Sequence, residues 1–146
     1  MTTRAFAKLY SPELLGLATL LARHRLTDDL PLRAEARSRS CGSVIAIGFA
    51  LEDAGLIDRI GLRVSACAIG QASAALLAES VKGRAPGEVI AAGEMLALWL
   101  EGAGDLPDWP GIDALAPALA HPGRHGALLL PWKAAAQALC EAGKPR

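Results

Sequence analysis

Hydrophobic and polar residues alternate with two different periods along this chain, and the change of period divides it. From Leu32 to Arg37 the period is two: Leu32, Ala34 and Ala36 alternate with Arg33, Glu35 and Arg37, the pattern of a half-buried strand. Cys41-Gly42-Ser43 interrupts it as a turn, and a second strand is expected through Val44, Ile45, Ile47 and Phe49. Glu52-Asp53-Ala54-Gly55 is a hairpin signal. A third strand is expected from Leu56 to about Ser65, with Ile60, Leu62 and Val64 on one face and Arg59 and Arg63 on the other. Sequential strands joined by short turns make an antiparallel meander.

The helical period appears on both sides of this block. Ser11-Pro12-Glu13 reads as a helix start, with Ser11 as cap and Pro12 at the first position, where a missing N–H costs nothing. Leu14, Leu17, Ala18 and Leu21 follow at helical spacing, and the helix should stop near His24. After the strands, Cys67 to Val81 is rich in alanine and leucine and closes at Lys82-Gly83. Pro86 to Glu101 forms another helix. Pro107, Pro110, Pro117 and Pro122 leave room for only one short helix near Ile112 to Ala116. A last helix is expected to begin around Leu128 to Pro131 and to run to about Ala142. Strands first and helices after define an α+β class: a three-stranded antiparallel meander against four to five helices, in one domain over residues 1–146.

Composition narrows the function classes. The chain has 146 residues, half of them hydrophobic, with 15 basic and 15 acidic side chains. Zero net charge argues against broad nucleic-acid binding, which needs a basic footprint. Arg33, Arg37 and Arg39 form a short basic stripe that reads as a solvated strand face. No apolar run reaches the ~20 residues of a membrane-spanning helix. Met1 to Lys8 carries Arg4 and Lys8 but no apolar core and cleavage site in the order of a targeting peptide, so a cytoplasmic location is expected. Three cysteines, Cys41, Cys67 and Cys140, are too few and too odd for a secreted disulfide framework.

Two of those cysteines sit where chemistry can use them. Cys41 lies at the turn after the first strand, and Cys67 lies where the third strand gives way to a helix. In a meander both places fall at the same end of the sheet. Free N–H groups at a helix start favour a thiolate, the form that binds metal or attacks a persulfide. Position alone leaves two readings open, a working thiol pair or two small core residues. Trp99 and Trp132 read as core residues and Trp109 as packed under a loop. Lys82 and Arg84 read as a solvated helix end, and Cys140 as a packing residue near the end of the last helix. No phosphate loop, Ser-His-Asp set or paired-carboxylate signature is present.

Cys41-Gly42-Ser43 before a strand hairpin resembles the Cys-Gly-Asp motif of the iron–sulfur cluster scaffold family, the NifU N-terminal domain with its IscU and SufU relatives. Ser65-Ala66-Cys67-Ala68-Ile69-Gly70-Gln71-Ala72-Ser73-Ala74 resembles that family's Gly-Cys followed by small residues and serines. Glu79-Ser80-Val81-Lys82-Gly83-Arg84 is similar to the segment closing the same helix. The run from Arg124-His125-Gly126-Ala127 to Leu130-Pro131-Trp132-Lys133-Ala134 is similar to the stretch opening the family's last helix. The resemblance spans about residues 10 to 142 and implies the SufE/NifU-like fold. It also implies a transient iron–sulfur cluster or zinc held by three cysteines and the aspartate. Here Ser43 stands at the aspartate position and Ala127 at that of the third cysteine, so Cys41 and Cys67 remain as the metal and cluster ligands. Two thiolates fall short of the four ligands that tetrahedral zinc or an iron–sulfur rim wants. His125 is the best candidate to fill the gap, with His121 behind it; a water-facing loop histidine is the alternative.

Three functions follow from the resemblance. The first is a scaffold that holds a cluster for transfer, its ligand set completed by His125, an external thiol or a second subunit of a homo-oligomer. The second is a sulfur acceptor, with Cys41 or Cys67 taking a persulfide sulfur and no cluster built. The third is an interaction module whose thiols are remnants. All three imply a cysteine desulfurase and cluster-assembly proteins as partners, with no nucleic acid and no membrane, and no enzymatic role beyond sulfur transfer.

Overall fold

The computed structural model of the protein describes residues 10–39 and 42–140. Strands β1 (Leu32–Arg37), β2 (Val44–Leu51) and β3 (Ile57–Ser65) form one antiparallel sheet in the order β1-β2-β3, the meander that the alternation predicts. Arg37 pairs with Val44, and Val44 pairs on its other side with Ser65. The β1–β2 turn and the exit of β3 therefore share one end of the sheet. Among the described residues four α-helices complete the α+β fold: α1 (Pro12–Thr19), α2 (Ala68–Ser80), α3 (Pro86–Leu100) and α4 (His125–Cys140).

Local signals account for most boundaries. The Ser11 hydroxyl accepts the Leu14 N–H at 3.2 Å and caps α1, which tightens into a 3-10 turn over Leu20–Arg23 before stopping at His24. The β2–β3 hairpin closes through Gly55, which donates its N–H to the Glu52 carbonyl at 2.9 Å from a backbone with φ +90°. After α2, the Gly83 N–H reaches the Ile57 carbonyl and the Arg84 carbonyl accepts from Ile57, tying the helix exit to the start of β3.

The core lies between the sheet and α2 and α4. Ile45, Ile47 and Phe49 point from β2 into it and are fully buried, with Ile69, Leu77, Leu128 and Trp132 opposite. Helix α4 packs on β1, β2 and α2, and α3 packs outside α4. On the other sheet face Gly48 and Gly61 pair directly and leave a trench for the segment Arg25–Leu30. A Cβ at Gly61 would lie 2.6 Å from the Arg25 carbonyl oxygen and 2.7 Å from Leu30 Cδ1, closer than atoms pack. The segment is pinned further by Asp29, which accepts from the Thr27 hydroxyl and from Arg59 at 2.6 Å. Those bonds hold the Asp29 carboxyl at about 2, below its ordinary 3.8. The pair thus contributes fully above pH 3.8 and is lost as the pH falls towards 2.

Two expectations are corrected. The proline-rich stretch holds more helix than one short turn, because Ile112–Ala120 forms a 3-10 run with Pro117 inside and Pro122–Arg124 forms another. Helix α4 starts at His125, earlier than Leu128, and carries Pro131 in its interior. Proline there removes one N–H from the helix ladder, a local cost that packing against α2 offsets.

Replacing Gly61 by alanine should force the trench segment off the sheet and lower stability by roughly 1–3 kcal/mol, the usual cost of overpacking. Urea unfolding of the variant checks this; an unchanged midpoint would mean that Arg25–Leu30 does not press on the sheet.

Candidate functional site

Cys67 occupies the N-cap of α2, the residue joining β3 to the helix, with extended backbone angles (φ −66°, ψ 171°). Its carbonyl accepts the Gln71 N–H at 3.0 Å, while its side chain makes no capping bond. The thiol is free and half-buried, so the junction presents it without sealing it in the core. Gln71 strengthens the junction by donating its side-chain amide to the Ala66 carbonyl at 2.8 Å.

The opposite wall comes from the β1–β2 turn. The Ser38 N–H reaches the Ser43 carbonyl at 2.9 Å, and Gly42 donates to the Ser38 carbonyl at 3.2 Å from a left-handed backbone (φ +72°). Ser43 is buried, and Val44 beside it faces Ser65, two residues before Cys67. Cys41, the other expected ligand, lies outside the described residues. Its neighbours Gly42 and Ser43 stand at Cys67's end of the sheet, as the meander requires.

Ala127 completes the arrangement. It is buried in the first turn of α4, against Gly70 in the first turn of α2. A Cβ at Gly70 would lie 2.8 Å from Ala66 Cβ, within the strand–helix junction itself, and 3.3 Å from the Ala127 carbonyl oxygen, so glycine relieves the junction and eases the close approach of the two helix starts. The position that the resemblance gives to a third cysteine thus borders the Cys67 helix, with a methyl group in place of a donor atom.

His125 turns elsewhere. Its Nε2 lies 3.0 Å from the Ala118 carbonyl oxygen and 3.1 Å from that of Leu119. Carbonyls only accept, so Nε2 carries the proton and is committed to them; only Nδ1 is left as a donor atom for a metal. Among the described residues no group of three or more His, Cys, Asp or Glu side chains is placed to hold a metal ion. Cys140 corrects the packing expectation: it is exposed, and its thiol donates to the Gln137 carbonyl. Arg84 also departs from a solvated helix end. Its guanidinium lies 4.1 Å over the Trp109 ring and bonds the Ser80 carbonyl at 2.7 Å.

A buried relay that sequence reasoning passed over fixes the helix starts. Ser73 on α2 donates its hydroxyl to the Leu128 carbonyl at 2.6 Å and accepts the Trp132 indole N–H at 3.0 Å, with no exposure to solvent. The signal in the sequence was a serine amid alanines on a helix facing a tryptophan, both needing a partner once buried.

No protein-family model matches the sequence, and no curated protein does. Solved structures do match. The N-terminal part of a nitrogen-fixing NifU-like protein from Brucella abortus superposes with a TM-score of 0.87 at 25% identity, covering 97% of this chain and 99% of that one. In fold, the chain is similar to the NifU-like N-terminal domain. A protein described as the iron–sulfur cluster assembly scaffold of the SUF system, from Fervidobacterium islandicum, has the same fold at a TM-score of 0.82 and 23% identity over 91% of this chain and 98% of that one. The β1–β2 turn, the α2 start and the α4 start meet at one end of this fold, where Ser43 offers no carboxylate and Ala127 no thiol.

Ser73→Ala should strand the Trp132 indole N–H in the core and remove the added bond to the Leu128 carbonyl. The expected loss is roughly 1–3 kcal/mol, with a weaker near-ultraviolet tryptophan band. A variant that melts with the parent protein would remove the relay from the account.

Proposed function

We propose that the chain serves iron–sulfur cluster assembly as a scaffold-type protein with a deliberately sparse donor set. Its cargo, a transient cluster or zinc, is held by Cys41 and Cys67. The remaining positions are filled from outside the chain or by Nδ1 of a turned His125. The observation that carries this reading is the half-buried, unbonded Cys67 thiol at the strand–helix junction of a scaffold fold. The thiol is reachable, so cargo can arrive and leave, and the β1–β2 turn, in which the sequence carries Cys41, stands at the same end of the sheet. Few protein ligands mean weak retention, which suits a protein that must give its cargo up. A cysteine desulfurase is the sulfur source this role calls for.

One observation favours a second reading, sulfur acceptance without cluster building. Cys67 alone among the described thiols stands at a helix start, and one thiolate suffices for that chemistry. The Cys67 thiolate attacks the terminal sulfur of a donor persulfide; the sulfur–sulfur bond breaks, the donor leaves as a thiolate, and Cys67 carries the persulfide.

Anaerobic incubation with ferrous iron and sulfide should give a visible chromophore that is lost in Cys67→Ala and in Cys41→Ala. A chromophore indifferent to both substitutions, or none with the parent protein, rejects the scaffold role. Mass spectrometry after incubation with a desulfurase and cysteine separates the second reading, which expects one added sulfur on Cys67 even where no chromophore forms.

A further inference from the structure

The basic stripe read as a solvated strand face leads into a recess. Arg37 and Arg39, at and beyond the end of β1, and Lys133 on α4 line an open pocket of about 390 Å³, with Ser38, Gly126 and Leu130 as its remaining walls. Among the described residues no carboxylate lines it. Arg37 reaches only the exposed Glu35 at 3.3 Å, and among the described residues neither Arg39 nor Lys133 forms an ion pair. In a chain whose basic and acidic residues balance at 15 each, a recess whose described lining holds Arg39 and Lys133 without an ion pair, beside an Arg37 paired to Glu35, is a local excess that a bound anion would offset.

Two paths lead from the pocket towards the thiol site. Arg37 pairs with Val44 and Val44 with Ser65, so roughly 10 Å, two strand spacings, separates Arg37 from the strand end that leads into Cys67. On the helix side, Gly126 precedes Ala127, which lies against Gly70 near the start of α2. An extended tripeptide spans about 10 Å. Guanidinium groups bind carboxylates in paired, planar geometry, and Leu130 offers an apolar wall to a methylene chain.

We infer that this pocket binds a small thiol by its carboxylate groups and aims the sulfur towards Cys67. A glutathione-sized molecule matches the charge, the volume and the reach. The inference rests on the scaffold reading for its purpose, because the external sulfur supplies a donor that Ser43 and Ala127 do not. The binding itself needs neither metal nor cluster. A nucleic acid does not suit a recess this small on a neutral chain.

The test is calorimetric titration of the metal-free protein with reduced glutathione. Saturable binding is expected, weakened by added salt, and at least tenfold weaker in Arg39→Gln/Lys133→Gln. Arg37→Gln should weaken it in the same direction, which guards against a double variant that folds badly. S-Methylglutathione should bind as well as glutathione, since the carboxylates hold it. Absence of binding, equal binding by the folded variants, or equal affinity for inorganic phosphate overturns the inference. None of these outcomes touches the scaffold role, which stands or falls on the Cys67-dependent chromophore. If both hold, glutathione should raise the yield of that chromophore and S-methylglutathione should not.

Discussion

The buried hydroxyl of Ser73 decides where the two helices of the site stand. It gives its proton to the Leu128 carbonyl and takes one from the Trp132 indole, so α2 and α4 cannot slide past each other without orphaning polar groups in the core. Cys67 heads α2 and Ala127 lies in the first turn of α4, so the same bond sets their separation. Trp132 extends the constraint. It meets Trp109 edge-on at 5.0 Å, Trp109 bonds the Leu76 carbonyl at 2.8 Å, and Arg84 covers its ring. One connected set of polar and aromatic contacts therefore runs from the middle of α2, through α4, to the loop after α2.

That relay also explains a misreading of the sequence. Pro131 looked like a helix start because a proline inside an isolated helix is costly. Here the turn around it is held by contacts the sequence does not display locally: Leu128 receives a bond from another helix, and Trp132 is anchored on that helix too. The strands were legible, since a period of two and the turn residues are local properties, and the cap Ser11 and the stop Gly83 were legible for the same reason. The 3-10 run over Ile112–Ala120 was not. Its prolines signal a broken helix, and only the packing of Ile112, Leu115 and Ala118 into the core reveals what holds it. Cys140 was misplaced because it follows Leu139 by one residue; a step of about 100° around the helix takes it off the buried stripe and into solvent.

The site was half legible. Strand order alone brought the β1–β2 turn and the α2 start to one end of the sheet, and Cys67 stands there as expected. His125 could not be judged from sequence. Its ring is drawn to the Ala118 and Leu119 carbonyls, which lie at the end of the 3-10 run where backbone acceptors lack helical partners. The partner was invisible until that run was known. The stripe of arginines is solvated as read, since Arg33, Arg37 and Arg39 are all exposed; the sequence could not show that Lys133, on a helix from far along the chain, shares a recess with Arg37 and Arg39.

The donor positions and the packing positions of this fold are separable, and that is what makes a sparse site workable. The core runs through Ile45, Phe49, Leu77, Leu128 and Trp132, none of which can bind a metal, and the Gly70–Ala127 approach needs small side chains but no sulfur. The fold therefore stands on its apolar core and the Ser73 relay, without any contribution from cargo. Metal sites that build a fold cannot release their ion without unfolding it. On the proposed reading, release would leave the core intact, and the strength of retention would be set at the rim, by how many outside donors join Cys67.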